Sequence, residues 1–226
     1  MFLHSPRRVL LIANGEPVSR ALSRAAARRS DYVVAADGGA NSARSAGLRP
    51  DIIIGDLDSI TPATRKRFSS TPLLYVARQD NTDLEKALDV LASRHAREVS
   101  LIGATGGRLD FTLGNLAVLW NYTSFMKIRV LGDGYYAEPV LTPMRLALKV
   151  GTVVSLIPFG PCSGVTLRGF RYPLKDATLR IGEIGVSNVV SRPACSVRVK
   201  KGHLLIIVFV NPLASRRTAR GHARSR

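Results

Sequence analysis

The chain has 226 residues, 46% of them hydrophobic and 22% charged, and carries a formal net charge of +17. That length suffices for one large or two small cored domains, and no apolar run approaches the roughly 20 residues of a membrane-spanning helix. The first eight residues lack the layout of a secretory signal, and Cys162 and Cys195 form neither a disulfide framework nor a metal-ligand spacing, so a cytoplasmic protein without a membrane partner is expected.

Up to residue 132, short β-rich runs alternate with helical patterns, which signals a parallel sheet with crossover helices. Strands are expected at 9–13, 32–36, 51–55, 73–76, 99–103 and 127–131. Helices are expected between them at 18–28, 40–46, 62–68, 83–95 and 109–122. The helix after Thr82 has the best local support. Thr82-Asp83-Leu84-Glu85 is a capping-box pattern, and Leu84, Ala87, Leu88 and Leu91 make one apolar stripe.

Near Gly132 the pattern changes to short β-rich segments at 140–141, 145–148, 152–157, 165–168, 185–186, 196–200 and 204–210, separated by glycine and proline. This reads as an all-β unit, a sandwich or barrel. The expected organisation is an α/β domain at 1–132, a β-sandwich at 133–211 and a basic, disordered tail at 212–226. The tail holds Arg216, Arg217, Arg220, Arg224 and Arg226 and supplies 5 of the 17 net charges. The other basic residues are scattered without interleaved aromatics, so a solvated basic surface is expected rather than a nucleic-acid partner.

In this basic chain, five of the 16 acidic residues fall in three short segments. Asp56 and Asp58 follow the apolar run 52–54, Asp80 and Asp83 flank Asn81-Thr82, and Asp110 closes Gly106-Gly107-Arg108-Leu109. All three segments, and Asp37-Gly38-Gly39-Ala40-Asn41, follow expected strands, at the sheet edge where an α/β protein builds its ligand crevice. Residues i and i+2 of an extended chain face one side, so Asp56 and Asp58 either share one cation or form a polar turn. Magnesium commonly takes one or two carboxylates plus phosphate oxygens. Asp83 at a helix start is either a ligand or a dipole-favoured carboxylate. The turn Gly103–Arg108 is either a phosphate-binding helix entry or a tight loop, and it is not a Walker A sequence. Together these features describe a metal-dependent site for a nucleoside polyphosphate.

At these residues the chain resembles the thiamine pyrophosphokinase family in its bacterial form. The matching segments are 36–41, 50–59, 80–83 and 103–110, and in the second half Gly169-Phe170-Arg171-Tyr172-Pro173-Leu174 and Gly185-Val186-Ser187-Asn188. The resemblance implies an α/β catalytic domain and a thiamine-binding β domain. It also implies transfer of the pyrophosphoryl group of ATP to the hydroxyl of thiamine, giving thiamine diphosphate and AMP. Asp56, Asp58 and Asp83 would be magnesium ligands, and Asp80 and Asp110 would position substrate or accept its proton. Asp37, Asn41, Thr105, Gly106, Gly107 and Arg108 would hold ATP. Tyr172, Ser187 and Asn188 would hold thiamine, in a homodimer with its thiamine sites at the subunit interface. The chain departs from the family pattern at Phe111, where a polar residue, commonly His, usually follows the Asp. Two other readings remain open: a pyrophosphokinase for a different alcohol, and a non-catalytic nucleotide- or nucleic-acid-binding protein.

Overall fold

Apolar runs of four to six residues, each ending at a glycine or polar turn, build a parallel sheet in the first half of the chain. The computed structural model describes residues 6–77, 80–183 and 185–210; the 212–226 tail lies outside them. The chain divides into two compact units between Asp133 and Gly134.

In the first unit the strands are β1 (Arg8–Ile12), β2 (Tyr32–Ala36), β3 (Ile52–Gly55), β4 (Leu73–Tyr75), β5 (Glu98–Ile102) and β6 (Lys127–Gly132). The helices are α1 (Arg20–Ala27), α2 (Gly39–Ala46), α3 (Pro62–Arg67), α4 (Asp83–Ser93) and α5 (Leu109–Val118), which runs on into a 3-10 turn at Leu119–Tyr122. The strands lie in the order β6-β5-β1-β2-β3-β4, all parallel. Leu10, Ile53 and Ile102 are buried because parallel strands are covered on both faces. Chain order reverses between β1 and β5. β2, β3 and β4 extend the sheet on one side of β1, and β5 and β6 on the other, so the loops leaving β1 and β5 diverge and open a crevice.

Side chains set the helix starts. Ser19 caps α1, Thr61 caps α3 ahead of Pro62, and Thr82 and Glu85 close a reciprocal capping box on α4. Gly47, at φ +70°, ends α2. No helix of the described residues is long and apolar enough to cross a membrane.

The second unit packs two antiparallel layers. One runs β12 (Asn188–Val189), β9 (Val153–Pro158), β14 (Leu204–Phe209), β7 (Tyr135–Pro139); the other runs β11 (Leu174–Leu179), β10 (Cys162–Arg168), β13 (Ala194–Arg198), β8 (Met144–Ala147). Val154, Leu156, Val165, Val197 and Val208 fill the core, with Cys162 and Cys195 buried as free thiols.

The fold class is the expected α/β unit followed by a β unit. Several short strands differ. Residues 140–141 and 185–186 are not strands; Gly185 instead accepts a single 2.6 Å hydrogen bond from the Leu156 N–H. β7 ends in Glu138-Pro139, which hides its strand character. β11 is a polar edge strand, bent where Asp176 takes φ +54° and the register shifts.

Candidate active site

The carboxyl ends of β2, β3 and β5 and the start of α4 bring most of the expected residues of the first unit to one edge. Asp37 follows β2. It is fully buried and holds φ +40°, a region that disfavours most side chains and concentrates at functional sites. Its Oδ2 accepts the Ser59 N–H at 3.2 Å, and its Oδ1 has no hydrogen-bond partner among the described residues. Burial, with the charge of Asp83, pushes this carboxyl above the ordinary value, against the Ser59 hydrogen bond.

β3 ends at Gly55, and Asp56, Leu57 and Asp58 form a turn in which Leu57 has φ +66°. The two carboxylates converge through that turn, not through the i, i+2 alternation of a strand. Gly55 is needed for the approach: at φ +152°, an added Cβ would lie 2.8 Å from the Asp37 Cβ and 3.2 Å from Asp83 Oδ1. Arg65 donates to the Leu57 carbonyl at 2.7 Å, and the Ser59 hydroxyl donates to Asp58 at 2.9 Å, fastening the turn.

Oxygens of Asp37, Asp56 and Asp58 lie within 4.8 Å of one another. Asp83 stands beside them and shares Lys86 with Asp56. The Lys86 Nζ donates to Asp56 Oδ2 and to Asp83 Oδ1, each at 2.9 Å, and its side chain is 2% exposed. The Lys86 hydrogen bond holds the Asp56 carboxyl below the usual carboxylate range despite burial. Burial pulls Lys86 down, but its bonds to Asp83 and Asp56 outweigh this and leave it above its ordinary value. A divalent cation fits this donor set. It offers hard oxygens, and Asp37 Oδ1 and Asp56 Oδ1 are buried and unpartnered.

The β5–α5 loop forms the other wall. Gly106 N–H donates to Thr112 Oγ1 at 3.0 Å and Asn115 donates to the Ala104 carbonyl at 2.9 Å, tying the loop to α5. Glu16 N–H bonds the Thr105 carbonyl at 3.1 Å, and Gly15 N–H bonds the Gly103 carbonyl at 2.7 Å. Between the loops after β1 and β5 lies a cavity of about 590 Å³, lined among others by Asn14, Gly15, Ser59, Asp83, Gly107 and Arg108. Its size suits a nucleotide-sized ligand.

Arg108 and Asp110 face each other in a two-bond ion pair at 3.1 and 2.5 Å, with the guanidinium 4.5 Å from the centre of the Phe111 ring. The Arg108 pairing lowers the Asp110 carboxyl, and both groups are exposed. Asn41 bonds the 59–61 loop: its amide donates to the Ser59 carbonyl and accepts from the Thr61 N–H and hydroxyl. Asp80 is exposed one residue before Asn81, whose amide donates to Asp89 at 3.4 Å.

In the second unit, Tyr172 and Asn188 are brought together. Asn188 Oδ1 accepts the Tyr172 N–H at 3.1 Å, and its amide donates to the Tyr172 carbonyl at 2.8 Å. Tyr172 stays 63% exposed. Ser187 holds φ +60° while its N–H bonds Ser155 at 3.1 Å.

Sequence reasoning missed the Asn14–Glu16 loop and Lys86. The loop works through main-chain groups, which no residue type announces. Lys86 had one signal, its i, i+3 spacing from Asp83 on a helix whose buried face it joins.

A parallel sheet whose switch point joins a carboxylate cluster to a glycine-lined cavity, on a chain that continues into a β unit, defines an α/β enzyme handling polyphosphate. Residues 24–131 match the family described as the thiamin pyrophosphokinase catalytic domain, and residues 144–204 the thiamin pyrophosphokinase vitamin B1 binding domain. A thiamine pyrophosphokinase of Bacillus subtilis (strain 168) is 31% identical over 183 residues, 77% of this chain and 85% of the relative. Thiamine pyrophosphokinase 1 of Oryza sativa subsp. japonica is 29% identical over 63% of this chain and 60% of its own length. The crystal structure of the Bacillus subtilis thiamine pyrophosphokinase superposes with a TM-score of 0.78 at 26% identity, covering 91% of this chain and 100% of that one. The Geobacillus thermodenitrificans thiamin pyrophosphokinase gives 0.77 at 25%, covering 91% and 98%. This chain belongs to the thiamine pyrophosphokinase family.

Proposed function

We propose that this chain transfers the pyrophosphoryl group of ATP to the hydroxyl of thiamine, giving thiamine diphosphate and AMP. The observation that carries the reading is the junction of the Asp37–Asp56–Asp58 cluster with the cavity at the β1/β5 switch point. In this reaction the thiamine hydroxyl oxygen forms a bond to the β-phosphorus of ATP. The bond from that phosphorus to the α–β bridging oxygen breaks, AMP leaves, and the hydroxyl proton passes to a base. Asp56, Asp58 and Asp83 would hold magnesium, with Asp37 beside them. The ion supplies charge neutralisation for the phosphates and the departing AMP oxygen.

The chain's own groups position the reactants. Thr105, Gly106, Gly107 and Arg108 form the helix entry that receives phosphate, and Arg108 exchanges Asp110 for a phosphate oxygen. Asn41 holds the 59–61 loop, and with it Ser59 against Asp37. Asp80 and Asp110 stand as substrate-positioning groups, either able to take the hydroxyl proton. Residues 1–132 are the catalytic domain and 133–211 the thiamine domain, where Tyr172 offers a ring face to the cationic heterocycle and Ser187 and Asn188 offer hydrogen bonds. A homodimer with thiamine at the subunit interface completes the reading. It is supported by Leu109 and Leu113, which stand exposed four residues apart on one face of α5. The free, buried thiols support a cytoplasmic setting. Family membership does not favour a different alcohol or a non-catalytic role.

The test is purified protein with ATP, magnesium and thiamine, scored for products. AMP and thiamine diphosphate in equal amounts are expected, with at least ~100-fold loss in D56N. ADP as the nucleotide product refutes the mechanism.

A further inference from the structure

We propose that Lys86 is a built-in counter-ion of the carboxylate centre, a positioning residue that orients Asp56 and Asp83 and holds down the affinity of the centre for a bare divalent cation. The inference rests on the metal reading above.

A lysine ammonium is expensive to bury, and Lys86 is almost wholly buried. Its place is therefore set by what it meets, two carboxylates at 2.9 Å each. Those carboxylates come from different elements, Asp56 from the turn after β3 and Asp83 from the first turn of α4. The ammonium joins the two elements at the point where the cluster assembles.

The bonding divides the oxygens of Asp56. Oδ2 is given to Lys86, and Oδ1 is buried with no hydrogen-bond partner among the described residues. Asp37 repeats the arrangement, with Oδ2 on the Ser59 N–H and Oδ1 unpartnered. Lys86 thus fixes the rotation of Asp56 that leaves one oxygen for a cation. It has no need to touch substrate.

Charge gives the second half of the inference. Asp37, Asp56, Asp58 and Asp83 bring four formal negative charges to one small region, and Lys86 is the buried cation paired with two of them. Such a cation relieves repulsion in the free protein and repels an arriving divalent ion through short distances in a low-dielectric setting. A centre tempered in this way binds the ion best when polyphosphate brings further oxygens with it.

The experiment compares wild type, K86M and K86R without nucleotide, by Mn2+ titration followed by electron paramagnetic resonance and by melting in chelator and in Mn2+. K86M is expected to melt lower in chelator and to bind Mn2+ at least about fivefold more tightly, with a larger metal-induced rise in Tm. K86R, which keeps the charge, is expected to stay near wild type. Should K86M fold only with metal present, that dependence supports the inference. Should it not fold at all, K86Q takes its place under the same criteria. Mn2+ affinity and Tm shifts in the uncharged variant equal to or smaller than in wild type overturn the counter-ion role of Lys86 while leaving the metal centre standing. Absence of Mn2+ binding in wild type overturns the metal reading itself.

Discussion

Asp37→Asn should stabilise the metal-free protein while destroying its activity. Asp37 is a buried carboxylate with one unpartnered oxygen, near two other carboxylates and raised by burial and by Asp83. Asparagine keeps its shape and tolerates the positive φ. Its carbonyl can still accept the Ser59 N–H, and its amide gains acceptors where Asp37 Oδ1 has no donor. Two unit charges at the outer limit of this cluster repel by about 3 kcal/mol at an effective dielectric near 20. Lys86 and solvent offset part of that, so a net gain of roughly 1–3 kcal/mol is expected. For a chain of this size that is a rise in Tm of about 2–12 °C.

The pH dependence has a definite sign. The folded-state pKa of Asp37 lies above its unfolded value, so wild type loses stability as pH rises through the carboxylate range. Above the folded value the cost is fully present; below the unfolded value both states are protonated and it is gone. The advantage of D37N is therefore greatest at neutral pH and fades on acidification. Melting in chelator at neutral and acid pH measures it. Adding magnesium should then stabilise wild type more than D37N and narrow or reverse the order. A D37N protein that melts below wild type at neutral pH in chelator, or keeps its whole advantage under acid, refutes the electrostatic reasoning.

Gly15→Ala should weaken nucleotide binding, because the added Cβ would lie 2.4 Å from the Gly103 carbonyl and force the β1 and β5 loops apart. A KM for ATP raised about tenfold or more, with the KM for thiamine little changed, is the expected kinetic pattern. Thr82→Ala removes the α4 cap and half of its box, and should cost about 1 kcal/mol, or 2–4 °C in Tm, by thermal melting. Tyr172→Ala should raise the KM for thiamine with little loss of stability, since the ring is exposed and the contacts to Asn188 are made by the Tyr172 backbone.

Legibility in the sequence followed the kind of chemical group involved. The parallel half was readable because β1, β2 and β3 are largely apolar runs and α1, α3 and α4 start with a capping side chain. Local signals agreed there with the global fold. The β half was less readable at its margins. β11 is half polar because it is an edge strand, and β7 closes on a proline. Asp56 and Asp58 were found by an argument from strand alternation, yet Leu57 turns the backbone left-handed between them. The structure does bring the two carboxylates together, but by a different local geometry, since a one-residue turn joins i and i+2 as well as a strand does. The family resemblance implies an ATP contact for Asp37, and only the tertiary fold brings its oxygen to the Asp56–Asp58 pair.

A metal–polyphosphate complex presents both signs of charge, and the sheet edge offers a separate surface to each. The turns after β2 and β3 and the first turn of α4 supply carboxylates, and the loops after β1 and β5, with the start of α5, line the cavity. The switch in strand order between β1 and β5 keeps the two surfaces adjacent without letting either neutralise the other. Lys86, buried on α4 and paired with Asp56 and Asp83, places its charge among the carboxylates. This division explains why substitutions should differ in kind. Loss of a carboxylate removes a charge from the cluster, and turnover is expected to collapse. A change in the amide wall shifts the position of backbone groups that remain chemically present, and affinity moves before the chemistry does.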